Sequence, residues 1–153
     1  MSMISSMSNF LPKKAAVVVQ TGQWVAVGDG TNTIATSPDG TTWTGLGTGI
    51  FTNNGVGVAY GKDGNGVGLW VAVGVGGNTI ATSTNGTTWT GRGTGIFTTS
   101  GIGVAYGTNG LWVAVGTGGN SIATSPNGTT WTGLGTGIFT SIGRGVAFTP
   151  LNN

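Results

Sequence analysis

The chain has 153 residues, only 5% of them charged, and a formal net charge of +2 at neutral pH. It contains no cysteine, histidine or glutamate, which excludes thiol chemistry and the commonest acid–base groups. The few basic residues are dispersed and no apolar run approaches the ~20 residues of a membrane-spanning helix, so we expect neither a nucleic-acid nor a membrane partner. We also expect no cofactor and no metal site.

The N-terminal residues 1–14 are predicted to be a tail. They lack the positively charged start and the unbroken apolar run of a secretory signal, so none is expected. The cellular location is left open. The following segment, residues 15–20, is rich in valine and is predicted to be the innermost strand of the first structural repeat.

One unit then occurs three times, beginning at Trp24, Trp70 and Trp112 with the letters WVAVG. The first two copies differ at 8 of 36 aligned positions, and the second copy carries an insertion at residues 62–68. Repeats of this length are typical of a supersecondary unit that buries its apolar face only by stacking on copies of itself. We predict three units, at about residues 15–45, 56–91 and 102–133, within an all-β region 15–149 that is followed by a tail at 150–153.

Each unit is predicted to contain four short strands, because β-branched and aromatic runs alternate with glycine and asparagine turns and no helical period is present. The predicted strands of the second unit are 57–60, 70–73, 79–82 and 87–90. Those of the third are 103–106, 112–115, 121–124 and 129–132. The strand that begins with tryptophan is apolar on both faces, which predicts burial between two sheets. The glycine-rich first strand is predicted to lie where strands converge.

The turn before the last strand contains Asp39-Gly40 in the first copy and Asn-Gly in the other two. Asparagine and aspartate cap such turns, and glycine accepts a positive φ. Because aspartate and asparagine exchange at this position, we predict a turn role and not a catalytic one for Asp39.

These turns resemble the Asp-box (BNR) repeat of β-propellers, whose pattern is Ser-x-Asp-x-Gly-x-Thr-Trp, although the turn here is one residue shorter. The resemblance covers about residues 15–149. It implies an all-β fold of three four-stranded antiparallel propeller blades per chain, closing into a ring by homo-oligomerisation. It also implies a structural role for the box residues, which are Ser37, Asp39, Gly40, Trp43, Ser83, Asn85, Gly86, Trp89, Ser125, Asn127, Gly128 and Trp131. Sialidases share this repeat, but their arginine cluster and acidic partners have no counterpart here, so we predict no enzymatic activity.

Three blades cannot close a propeller by themselves, so the expected partner is the chain itself: two chains would give six blades and three would give nine. Residues 144–149 repeat the innermost strand once more. We hypothesise that they cross to the next protomer and complete its first blade. A β-trefoil, which also has three four-stranded repeats but closes as a monomer, is the alternative fold.

Two functions fit this sequence. The first is a structural or assembly protein, for example of a virion or a cell surface. The second is a multivalent binding module, with carbohydrate as the leading ligand and one weak site per blade. The candidate ligand-binding residues are Asn32, Asn78, Asn120 and Arg92, which lie in loops predicted to share one end of the blades. The alternative role for the three asparagines is turn capping.

Overall fold

The computed structural model describes residues 22–151, so the predicted tail 1–14, the predicted strand 15–20 and residues 152–153 lie outside the described part. Residues 22–151 form three antiparallel sheets and contain no helix, and therefore none that could cross a bilayer. The predicted all-β class is confirmed. Each sheet is built from one sequence repeat.

Sheet 1 consists of β1 (Trp24–Val27), β2 (Ile34–Ser37) and β3 (Thr44–Gly45). Sheet 2 consists of β4 (Asn54–Lys62), β5 (Gly68–Val75), β6 (Ile80–Ser83) and β7 (Thr90–Gly91). Sheet 3 consists of β8 (Ser100–Tyr106), β9 (Trp112–Thr117), β10 (Ile122–Ser125) and β11 (Thr132–Gly133). Strands that are consecutive in the sequence are neighbours in each sheet, and no sheet takes a strand from another repeat. This separation into three sheets disfavours the β-trefoil.

The same strand register occurs in each sheet, as near-identical sequences require. In sheet 2, Trp70 lies opposite Ser83 and Val73 lies opposite Ile80. The corresponding residues pair in sheets 1 and 3. The pairing of β4 with β5 shifts between Gly55 and Gly57, which is a β-bulge that recurs at the matching place in sheet 3.

The predicted position of the fourth strand was wrong. We expected it at 87–90 and 129–132, but β7 begins at Thr90 and β11 at Thr132, and each is only two residues long. The cause is local, because the side chain of Asn85 holds the amides of Thr87 and Thr88 in the preceding turn. Residues 144–149 also form no strand, since no strand pairs with them within residues 22–151.

The three sheets stack through two apolar cores, and β5 contributes to both. Ala72 packs against sheet 1 with Ile34 and Phe51, whereas Val71 and Val73 pack against sheet 3. All three β5 side chains are fully buried, which confirms the predicted burial of this strand on both faces. Burying one such side chain completely contributes roughly 1.5–3 kcal/mol for valine-sized groups.

The predicted crowding of the first strands is also confirmed. A Cβ atom built on Gly57 would lie 3.1 Å from the carbonyl oxygen of Ile102 and 3.4 Å from the Cα of Gly103. β8 therefore passes directly against β4. Glycine permits this close approach of two backbones.

Candidate interaction surfaces

The turn between the third and fourth strands is closed by three side chains. Ser125 Oγ accepts hydrogen bonds from the amides of Gly128, at 2.8 Å, and Asn127, at 3.3 Å. Asn127 Oδ1 accepts from the next two amides, and Trp131 Nε1 donates to the carbonyl oxygen of Gly128 at 3.0 Å. The same bonds recur in the other repeats through Ser37, Asp39 and Trp43, and through Ser83, Asn85 and Trp89. The polar groups of these serine, aspartate, asparagine and tryptophan side chains therefore form hydrogen bonds within their own turns.

Asp39 is the one carboxylate among the three turns. Its Oδ1 accepts the amides of Thr42, at 2.7 Å, and Thr41, at 2.8 Å. These amide donors, Thr42 first, hold the pKa of Asp39 well below its ordinary value. The group therefore stays ionised and serves as a turn acceptor. Among residues 22–151, no three side chains of the His, Cys, Asp or Glu types lie together as a metal site would need.

The three candidate asparagines tie loops together. Asn78 Oδ1 accepts the amide of Gly93 at 2.9 Å, and its Nδ2 donates to Ile50 O of the preceding repeat at 3.0 Å. Asn120 makes the same two bonds one repeat later. Asn32 makes the first of these bonds, because its Oδ1 accepts the amide of Gly47 at 2.8 Å. The structure thus brings together the two sets of loops expected to share one end. Ligand binding by these residues stays a prediction, and a ligand would compete there with bonds already made.

Arg92 lies next to Gly93 in the same loops, but its side chain extends into a groove of about 660 Å³ between sheet 2 and the turn of sheet 3. Its Nε and Nη2 both donate to Thr82 Oγ1, at 3.0 and 2.7 Å. Asp63 and Asn65, from the inserted hairpin tip, line the same groove. A guanidinium among hydroxyl and amide groups can bind a hydroxylated or anionic ligand. The sequence did not indicate that the insertion at residues 62–68 would line the same groove as Arg92. The available signal was that the second repeat carries this insertion and the third does not.

The two ends of the stack differ from its interior, although the sequences are nearly identical. Trp112 is fully buried and donates through Nε1 to the carbonyl oxygen of Lys62, in the preceding sheet, at 2.8 Å. Its counterpart Trp24 is 59% exposed. Phe97 is fully buried against sheet 3, whereas its counterpart Phe139 is 42% exposed. Position in the stack, and not residue type, sets these exposures.

The turn glycines of sheets 2 and 3 contact the preceding sheet, and the turn glycine of sheet 1 has no such contact among the atoms nearest to it. A Cβ atom on the turn glycine Gly128 would lie 3.1 Å from Val71 Cγ2, in the second strand of the preceding sheet. Gly86 approaches Val25 at the same distance. For Gly40, in sheet 1, the three nearest atoms all belong to Trp24 of its own sheet, at 3.5–3.7 Å. Sheets 2 and 3 therefore each pack this turn on the strand of the preceding sheet that begins with tryptophan or contains its counterpart, β1 for sheet 2 and β5 for sheet 3.

Each contact between adjacent sheets joins one face of a sheet to the opposite face of the next sheet. Sheet 1 carries one of these two faces uncovered in the described part of the chain, and sheet 3 carries the other. We call the side of sheet 1 that carries Trp24 and Gly40 the front face. We call the side of sheet 3 that carries Leu111, Val113 and Phe139 the rear face. Leu111, Val113 and Phe139 match Leu69, Val71 and Phe97, which are buried inside the stack, and Trp24 matches the buried Trp112.

The described part of the chain is thus three stacked antiparallel sheets, one per sequence repeat, with an uncovered face on the first sheet and on the last. Comparisons with protein-family models, with curated proteins and with solved structures found no match to this chain.

Proposed function

We propose that the chain assembles head to tail with copies of itself into a closed β-propeller ring, and that it acts there as a non-enzymatic structural or multivalent binding protein. The observation that carries this proposal is the pair of matching faces. Within residues 22–151, the contact that joins sheet 1 to sheet 2 and sheet 2 to sheet 3 has one half without a partner on sheet 1 and the other half without a partner on sheet 3. A heterologous contact of this kind makes a ring if its rotation closes.

The exposed apolar groups support association. Ile138 is 77% exposed, whereas its counterparts Ile50 and Ile96 lie half-buried against the core clusters. Apolar patches rimmed by polar groups mark association surfaces in proteins that are stable in water. Docking of a rear face on a front face would give Ile138 the environment of the two internal copies.

The absence of catalytic chemistry is part of the same proposal. The carboxylates of Asp39 and Asp63 each accept amide hydrogens of their own turn. Both carboxylates therefore act as hydrogen-bond acceptors for backbone amides, which is a structural role. A role in a virion or on a cell surface would use this kind of low-charge, self-associating unit.

The native mass in solution tests the ring. Light scattering behind a sizing column should give about 30 kDa for two 15.1 kDa chains or about 45 kDa for three, unchanged over a wide range of concentration. A monomer at micromolar concentration would overturn the proposal. A mass that grows steadily with concentration would show an open filament and would overturn closure.

Carbohydrate binding is the second candidate function, and the groove beside Arg92 supports it. The groove is lined by hydroxyl, amide and charged groups, which suit a polyhydroxylated ligand. The test is a glycan array probed with the protein and with Arg92→Leu. Leucine is the residue at the matching positions 46 and 134, so this variant keeps the repeat intact. Selective binding that Arg92→Leu abolishes would support the site, and binding that the variant retains would contradict it.

A further inference from the structure

The C-terminal segment 144–149 lies where the first strand of a fourth sheet would lie. A Cβ atom on Gly57 would be 3.1 Å from Ile102 O and 3.4 Å from the Cα of Gly103. One repeat later, a Cβ atom on Gly103 would be 3.5 Å from both Arg144 O and the Cα of Gly145. The segment thus crosses β8 as β8 crosses β4.

The aromatic residue near its end follows the same geometry. The ring of Tyr106 covers Gly61, and the ring of Phe148 covers Gly107, with Phe148 Cδ2 2.8 Å from a Cβ atom built there. The sequence Gly-Val-Ala followed by an aromatic residue is common to β4, β8 and this segment. Position and sequence therefore both match a first strand that has no sheet of its own within residues 22–151.

In the described part of the chain, the sheet at the opposite end has the complementary gap. β5 pairs with β4 on one side and β6 on the other, and β9 pairs in the same way with β8 and β10. Within residues 22–151, β1 pairs only with β2. Ala26 of β1 is half-buried, while its counterparts Ala72 and Ala114 are fully buried.

We propose that residues 145–148 of one protomer add to the free edge of β1 of a second copy and complete its first sheet. This inference rests on the proposed ring. The register follows from the internal pairs Val58 with Ala72 and Val104 with Ala114. It places Val146 opposite Ala26 of the partner subunit, and Phe148 opposite Trp24 of the partner subunit. Strand addition of this kind supplies main-chain hydrogen bonds as well as side-chain contacts.

Two features are completed by this register. Tyr60 packs on Trp70 and Tyr106 on Trp112, with ring centroids 4.8 Å apart in both pairs. Phe148 and Trp24 are both exposed in the single chain and would form a third such pair.

The second feature is free space beside Gly145. A Cβ atom on this residue would meet nothing within 4 Å, whereas one on Gly103 would meet Val115 Cγ2 at 3.1 Å. In the completed sheet, Val27 of the partner subunit would occupy the matching place.

Engineered disulfides test the register directly, because the chain has no cysteine of its own. The double variant Ala26→Cys, Val146→Cys should form a disulfide between chains under mild oxidation, because opposed residues on neighbouring strands have adjacent Cβ atoms. The control is Val25→Cys, Val146→Cys, in which one side chain points to the other face of the sheet. Non-reducing electrophoresis should show linked chains in the first variant only.

The outcomes separate this inference from the proposed ring. If the unmodified protein is oligomeric but the first variant gives no interchain disulfide, strand addition is overturned and the ring stands. β1 would then pair with another segment, such as the predicted strand 15–20. An intrachain disulfide, or equal linking in both variants, would also overturn the register. A monomeric unmodified protein would overturn the ring and the strand addition together.

A glycine substitution gives a second test without cysteines. Gly145→Val should weaken association by at least tenfold, because the added side chain fits the single chain but would collide in the completed sheet. Gly137→Val is the matched control, since Gly137 also has open space and its counterparts Gly49 and Gly95 stay open inside the stack. Equal association of the two variants in sedimentation experiments would contradict strand addition.

Discussion

Replacement of two equivalent phenylalanines separates the stability of the single chain from the strength of its association. Phe97 is fully buried and its ring contacts the backbone of Gly116 in sheet 3. Phe97→Ala should therefore lower the free energy of unfolding by about 3–5 kcal/mol, the usual range for a buried phenylalanine. Phe139 is 42% exposed, so Phe139→Ala should remove only about half of that, roughly 1.5–2.5 kcal/mol, from the single chain.

The remainder should appear in the association of protomers. If Phe139 packs on the front face as Phe97 packs on sheet 3, Phe139→Ala loses a further ~1.5–2.5 kcal/mol of contact between chains. That loss corresponds to roughly 10- to 70-fold weaker association. Gly28, the front-face counterpart of Gly116, has nothing within 4 Å of its Cβ position, so space for the ring exists there.

Urea denaturation at low protein concentration gives the first quantity, and sedimentation velocity over a dilution series gives the second. Phe139→Ala should shift the association curve far more than the denaturation midpoint. The reasoning would be refuted if Phe139→Ala destabilised the dilute chain as much as Phe97→Ala and left the mass distribution unchanged.

Three further predictions concern the turns and the stacking of the sheets. Asp39→Asn should leave the thermal midpoint near pH 7 unchanged but flatten its fall in acid, because a carboxylate with a lowered pKa stabilises the fold above its ordinary pKa and loses that contribution as the pH falls through the folded value. Thermal scans from neutral to acidic pH measure this, and an unchanged acid limb would contradict it. Trp112→Phe should lose roughly 1–3 kcal/mol in urea denaturation through its bond to Lys62 O, whereas Trp24→Phe should lose much less in the dilute chain. Ser125→Ala should lose a similar ~1–3 kcal/mol because it leaves a buried amide in the turn without its acceptor, and an unchanged denaturation midpoint would show that the turn tolerates this.

Local chemistry made most of the strands predictable from the sequence. The first three strands of the second and third repeats include or nearly coincide with the predicted segments, because β-branched runs bounded by glycine leave little other choice. The fourth strand was misplaced because the amide-binding side chain of the turn, Asn85 in sheet 2, holds two residues that strand propensity alone would have paired.

The interaction surfaces were less predictable, for a physical reason. Asn78 and Asn120 bond to carbonyl oxygens of the preceding repeat, and no pattern within one repeat shows which carbonyl will be in reach. The exposure of Trp24 and the burial of Trp112 could not be told apart either, because the two residues have the same local sequence. Such differences arise from the number of neighbouring sheets, which the sequence of a single repeat does not contain.

The contact between neighbouring sheets stabilises the fold, and the same kind of contact would stabilise the proposed ring. Sheet 2, which has a sheet on either side, is stabilised by contacts on both of its faces, and the fully buried Val71 and Ala72 lie on opposite faces of its strand β5. A terminal sheet has only one such neighbour, so its stability falls short by about the free energy of one interface, as in other repeat proteins. In the proposed ring, addition of a further sheet to either end would be favoured by the contact that already joins the sheets within the chain, and it would become self-limiting when the first and last faces meet.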